Sequence, residues 1–156
     1  MNIPEHLSHL IQQIGPQMDL DEVVAYAEEN FWLLQGGDDV LMEITWVEDR
    51  QTVVFSGLLG SVPEANAARI YALLLHYNYA WESTGGARMA VDPNDGEVIL
   101  LLDHPVAELD LPSLQAIIRG LLETVPAWRA VMQTPVEEVA DAVFDPSALP
   151  LGGIRV

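Results

Sequence analysis

Residues 64–80 read as a helix that is apolar on two sides, and no other stretch restricts the fold as much. Ile70, Leu73, Leu74 and Tyr77 share one face, within an arc of about 100° at helical spacing. Ala68, Tyr71, Ala72, Leu75 and Tyr79 form a second face on nearly the opposite side. A surface helix needs one buried face, so the second requires a cover of its own. A chain of 156 residues makes one compact domain and leaves little to spare. The cover is therefore expected from another subunit, the two alanines letting a symmetry-related helix come close and the tyrosines and Leu75 acting as anchors. Burial inside a single subunit is the alternative. Ser61-Val62-Pro63-Glu64 predicts the start of this helix, Ser61 accepting from the backbone three residues on and Glu64 reaching back.

Strands flank it. Val40, Met42, Ile44 and Trp46 alternate with Leu41, Glu43, Thr45 and Val47; a polar joint at 48–51 follows, and 52–59 returns. That period of two with a short turn predicts an antiparallel hairpin. Residues 31–35 predict a further strand, closed by Gly36-Gly37-Asp38-Asp39. After the glycines of Ser83-Thr84-Gly85-Gly86, segments 87–91 and 97–103 flank Asp92-Pro93-Asn94-Asp95-Gly96, a second hairpin.

Helices close both ends. Asn2, Pro4 and Glu5 open the first, with Ile3, Leu7, Leu10, Ile11 and Ile14 as its one apolar stripe and Gly15-Pro16 as its stop. Asp110 and Pro112 open the last, lined by Leu114, Ile117, Ile118, Leu121, Val125, Trp128 and Met132, with Pro126 predicting a kink that keeps the same buried face. Residues 17–30 are ambiguous, since Leu20, Val23, Val24 and Ala27 also fit a helix. The expected class is α+β: an antiparallel sheet with three main helices, in the order helix-strands-helix-strands-helix, as a homodimer. One domain is expected over 1–132, then an extension over 133–156 with a short helix near 136–143 and a loosely held Pro/Gly-rich end.

Charge excludes several functions. Six cations, all arginine, stand against 24 acids for a net charge of −18. Such a domain repels polyphosphate and has no polybasic segment for an anionic bilayer, so neither nucleic acid nor membrane is an expected partner. With no cysteine there is no disulfide framework, zinc thiolate site or thiol nucleophile. The first residues lack the basic and unbroken apolar regions of a secretory signal, and no apolar run approaches a bilayer span, so a soluble cytoplasmic protein is expected.

Enzyme signatures are poor, and neither a catalytic residue, a metal nor a cofactor is expected. The turn 92–97 resembles a calcium loop, but its glycine comes one place early and no glutamate closes it. Asp103-His104 could orient an imidazole, yet no serine sits in a strained nucleophile turn. His6, His9 and His76 lack the spacing of a metal pair and read as solvated or capping residues. Trp32 and Trp46 read as core anchors before peptide contacts. What remains is surface: an acidic domain with apolar strands suits an extended, partly hydrophobic segment of another chain.

From Leu73 to Trp128 the order of features is specific. A helix ends in Leu73, Leu74 and Asn78; Thr84-Gly85-Gly86-Ala87 and a strand follow; then come a turn with Asp92 and Gly96, an apolar strand through Val98, and a final helix with the late Trp128. This stretch resembles the class I type III secretion chaperones, the Tir-chaperone family. The strand pair 40–59 extends the likeness, whereas residues 17–30 are longer than the pattern and the tail after Met132 is extra.

The resemblance implies a homodimer whose subunits meet through the central helix and neighbouring strand. It also implies a virulence-associated export role, in which the N-terminal segment of a secreted effector wraps the dimer in a mostly non-globular form. Carried onto this chain, the partner patch is expected at Leu7, Leu10, Ile11 and Ile14 of the first helix and at Met42, Ile44 and Trp46 of the sheet. A chaperone serving several effectors would also dock at the secretion ATPase. The rival expectations are a peptide-binding adaptor of similar fold outside secretion and, further off, a small hydrolase.

Overall fold

The computed structural model describes residues 3–134 and Ile154. Ten elements follow one another: α1 Glu5–Met18, β1 Glu22–Tyr26, β2 Phe31–Gly36, β3 Val40–Val47, β4 Thr52–Ser61, α2 Ala67–Tyr79, α3 Trp81–Thr84, β5 Arg88–Val91, β6 Glu97–Pro105 and α4 Leu111–Gln133. The strands form one sheet in the order β1-β2-β3-β4-β6-β5, antiparallel throughout.

The registers line up two rows of buried side chains. Trp32, Ile44, Phe55 and Leu102 make one row; Leu34, Met42, Gly57, Leu100 and Met89 make the next. With a period of two, both rows point to the same side. There they join Leu7, Ile11 and Ile14 of α1, Ile70, Leu74 and Tyr77 of α2, and Ile117, Leu121, Val125 and Trp128 of α4 in a single core. The fold is thus two layers, three helices over one face of a six-stranded sheet. Gly57 sets the approach of α4, because a Cβ there would lie 2.7 Å from a methyl of Val125. Tyr77 and Trp128 meet edge to face, ring centroids 5.4 Å apart, a favoured aromatic geometry.

Several local expectations are corrected. Helix α1 passes through Gly15-Pro16 and ends at Met18, where Asp19 is left-handed and its N–H donates to the Gly15 carbonyl. In the last turn a proline forfeits a single backbone bond, which one C-terminal closure offsets. The helix N-cap is Pro4 and not a residue of its first turn; Asn2 lies outside the described residues. Within 17–30, residues 22–26 form an edge strand, with Val23 opposite Leu34 and Val24 opposite Leu33. Pairing with β2 overrides a pattern that also suits a helix, as β-branched residues favour.

The predicted cap at 61–64 does not form. Ser61 is the last residue of β4, opposite Glu97, and a 3-10 turn at Glu64–Asn66 leads into α2. Asn66 instead donates from Nδ2 to the Thr134 carbonyl at 3.2 Å. At α4 the prediction holds: Asp110 caps the helix by accepting from the Ser113 N–H, and the seven expected apolar residues are all buried. The expected short helix near 136–143 lies outside the described residues, as does most of the tail. Ile154 is buried where Gly85 and Gly120 leave room for it.

Candidate functional site

No side chain in the sheet is idle, because the strands are apolar on both faces. Opposite the helices, Leu58 aligns with Ile99 and Ala90, with Leu41 lining the same concavity, and Leu33 aligns with Glu43, Ser56, Leu101 and Arg88. Tyr26 and Phe31, stacked at 4.6 Å, continue this face toward the β1 edge. No helix among the described residues covers it. Most of these side chains are half-buried, and Leu41 keeps 40% of its surface exposed. Apolar surface left uncovered is where interaction sites are commonly found, which makes this face the candidate. Its middle dips into a concavity of about 350 Å³ between Leu33, Leu41, Leu58 and Leu101, rimmed by Glu43, Asp92, Asp95 and Glu97.

A second concavity, of about 380 Å³, runs between α1 and β1, lined by Ile3, Ile11, Gln12, Val23, Ala25 and Trp32. Strand β1 is an edge of the sheet, so one side of its backbone is open to pairing. At the other edge, β5 is engaged at Met89 by the side chain of Asn78.

The structure places the expected partner residues differently. Leu7, Leu10, Ile11 and Ile14 are buried between α1, α4 and the sheet, and Met42, Ile44 and Trp46 are buried on the helix-covered side. All seven are buried within the subunit, with Ile11 reaching the lining of the α1–β1 groove and Met42 that of the concavity on the open face. The reason is that a one-sided helix and, in β3, the bulkier side of the strand supply this subunit's own core. What faces outward is the alternate set, Leu33, Leu41, Val54, Leu58, Ile99 and Leu101. Its signal was available in the second apolar set of 40–47 and in the unbroken Val98-Ile99-Leu100-Leu101-Leu102 run.

The second face of α2 is uncovered among the described residues. Ala68, Tyr71, Ala72, Leu75 and Tyr79 are all exposed, Leu75 at 69% and Tyr79 at 85%. Trp81 and Val91 extend this apolar area onto α3 and β5.

The chemistry-bearing residues are otherwise occupied. Asp103 forms an ion pair with Arg88 at 3.0 Å, while His104 Nδ1 lies 2.9 Å from the Pro105 carbonyl. As strand neighbours Asp103 and His104 point to opposite faces, so no acid–imidazole pair is assembled. His6 Nε2 sits 2.8 Å from the Leu109 carbonyl, tying α1 to the turn before α4. In the turn 92–96, Asp92 accepts from the backbone and side chain of Asn94, a hairpin closure. No group of three or more metal-ligating side chains occurs among the described residues, and no helix among them is long and apolar enough to cross a membrane. Among the described residues, two groups are shifted from their usual range. The Ser113 hydroxyl and N–H hold the Asp110 carboxyl below it, and burial pushes the Tyr77 hydroxyl up to about 12.

The model of the Tir chaperone protein (CesT) family matches residues 9–129. Among solved structures, a chain of the ExsC–ExsE complex is similar with a TM-score of 0.70 and 18% identity, covering 85% of this chain and 97% of that one. A chain of the HopA1–SchA chaperone–effector complex gives 0.64 and 17%, over 80% and 94%. One from the heterodimeric ExoU–SpcU complex of the type III secretion system of Pseudomonas aeruginosa gives 0.62 and 18%, over 80% and 96%. At such identities the likeness is one of fold. No curated protein matches the chain in sequence.

Proposed function

The chain belongs to the Tir chaperone protein (CesT) family, and from that premise we propose that it is a non-enzymatic, cytoplasmic chaperone of type III secretion. It binds the N-terminal region of one or several effectors and keeps it extended and soluble for export. The observation that carries this reading is the open apolar sheet face, a broad surface that no helix among the described residues covers. Two of the similar folds come from complexes named for a chaperone–effector pair and for a type III secretion system, which supports it.

The working unit is a homodimer joined through Ala68, Tyr71, Ala72, Leu75 and Tyr79, since an α2 face this apolar is otherwise left in water. Each subunit then offers its sheet face and α1–β1 groove to the client. An extended client meets dispersed apolar contacts, which must exceed the entropy lost when it is ordered. Covering those client residues suppresses aggregation, and the surplus of acid on the chaperone keeps the complex soluble. A chaperone with several effectors would also hand them to the secretion ATPase.

Deleting the gene in its native host, and comparing exported with retained proteins, tests the reading. The expected result is loss of one or more exported proteins whose N-terminal region co-purifies with this chain. Partners that are never exported would overturn it in favour of an adaptor outside secretion.

A further inference from the structure

The concavity on the open sheet face is apolar at its floor and acidic along its rim. Leu41, Leu58, Ile99 and Leu101 form the floor; Glu43 rises from β3, Glu97 from β6, and Asp92 and Asp95 from the turn between β5 and β6. No arginine or histidine lines it among the described residues. Arg88, on the same face, is already paired with Asp103 at 3.0 Å. One oxygen of Asp92 accepts from Asn94, and one of Asp95 accepts from the Glu97 N–H, so the turn fixes both carboxylates at the rim. Four acids around a low-dielectric floor focus a negative potential there.

We infer that this concavity selects a client segment carrying lysine or arginine beside its apolar side chains, the apolar ones seated on Leu41, Leu58 and Ile99 and the cations on Glu43, Asp92, Asp95 and Glu97. The inference rests on the chaperone reading and supplies the chemistry of the segment bound. Charge decides the occupant. A second copy of this chain carries −18 and has no lysine, and it would set acid against acid. The chain's own tail, 133–156, holds Glu137, Glu138, Asp141 and Asp145 against the single Arg155, and is mismatched in the same way. Phosphate-bearing ligands and anionic lipids are repelled for that reason too. A volume of about 350 Å³ admits a few side chains of an extended or helical segment and no folded domain.

The test uses the purified full chain with two amphipathic peptides of equal length, one of leucine and lysine, the other of leucine and glutamate. Amide NMR spectra locate binding, and titration measures it at low and high salt. The leucine–lysine peptide should shift the amides around Leu41, Leu58 and Ile99, and the leucine–glutamate peptide should not. Replacing the rim together (Glu43→Gln, Asp92→Asn, Asp95→Asn, Glu97→Gln) should weaken binding at low salt by about 10-fold or more, with a smaller effect once the screening length falls to a few ångströms. The amides keep the acceptors that close the turn, so the hairpin survives. A control variant (Glu28→Gln, Glu29→Gln, Glu48→Gln, Asp49→Asn) removes as many charges from other exposed acids and should bind as the wild type does.

Equal binding of both peptides, equal loss in the control variant, or shifts confined to α2 or the α1–β1 groove would each overturn the inference. Because the readout is direct binding to one surface, any of these leaves capture of an exported client standing. Conversely, rim-dependent binding in a host where no exported protein needs this chain would overturn the chaperone reading alone.

Discussion

The side-chain amide of Asn78 takes up both backbone groups of Met89: Nδ2 donates to the Met89 carbonyl at 3.0 Å, and Oδ1 accepts from its N–H at 2.7 Å. Asn78 thus stands where another strand would begin, fastening the end of α2 to the outer edge of β5. Of the two sheet edges, this one is blocked at its centre and β1 is left for pairing. Blocking an edge with a side chain is one way to prevent sheet-to-sheet association.

Asn78→Ala leaves two part-buried backbone groups without their partner, at a cost of about 1–3 kcal/mol. Asn78→Asp retains the acceptor but sets a carboxylate against the Met89 carbonyl, so it too should destabilise. Urea unfolding followed by circular dichroism checks both. A wild-type midpoint for the alanine variant would mean that β5 is held by its pairing with β6 alone.

The ring of Tyr77 meets Trp128 edge to face, and its buried hydroxyl has no hydrogen-bond partner among the described residues. Removing an unsatisfied polar atom while keeping the ring should be neutral or stabilising, so Tyr77→Phe should unfold at the same or a higher urea concentration. Its pH behaviour has a definite sign. Burial raises the folded-state value from 10.0 to about 12, so the folded form holds its proton where the unfolded form has lost it. The contribution is complete below about pH 10 and declines as pH rises toward 12, by roughly 1.4 kcal/mol per unit of difference. Wild type should lose stability over that interval more steeply than Tyr77→Phe, and parallel curves would show that the hydroxyl reaches water.

The two parities of β3 should respond differently to substitution. Ile44 and Met42 lie in the core, whereas Leu41 lies on the open face. Ile44→Ala should cost about 2–5 kcal/mol of stability. Leu41→Ser, at an exposed position, should change stability within about 0.5 kcal/mol and weaken client capture. Thermal unfolding and co-purification read the two effects separately. Destabilisation by Leu41→Ser to the degree of Ile44→Ala would show that another part of the molecule covers the open face.

That contrast also explains what the residues alone could disclose. The helices and hairpins were legible from the period each carries, though the end of α1 and the start of α2 were not, and the second face of α2 because five apolar positions had no room in a short chain. Which face of the sheet stays open was not, for a reason of symmetry. A period of two separates a strand's faces without stating which one the helices cover, and here Met42, Ile44 and Trp46 compete with Leu41 and Val47. The bulkier set went inside. At β1 the deciding interactions were cross-strand pairs with the next strand, and at Ser61 a pair with Glu97 far along the chain; spacing within one segment is blind to both.

Leu75 provides the sharpest test of assembly. It is 69% exposed in the subunit, so Leu75→Glu leaves the core and the tertiary hydrogen bonds untouched. In a twofold contact each substitution acts twice. Withdrawing a buried leucine costs about 1.5–3 kcal/mol each time, before the penalty for a carboxylate in a dry seam. The dissociation constant should therefore rise by at least about 100-fold, at 1.4 kcal/mol per tenfold. Sedimentation at micromolar concentration should find wild type as dimer and Leu75→Glu as monomer, the latter with its helical and strand signature intact. A monomeric wild type, or a variant that still dimerises, would remove α2 from the interface and leave Tyr71, Leu75 and Tyr79 to some other partner.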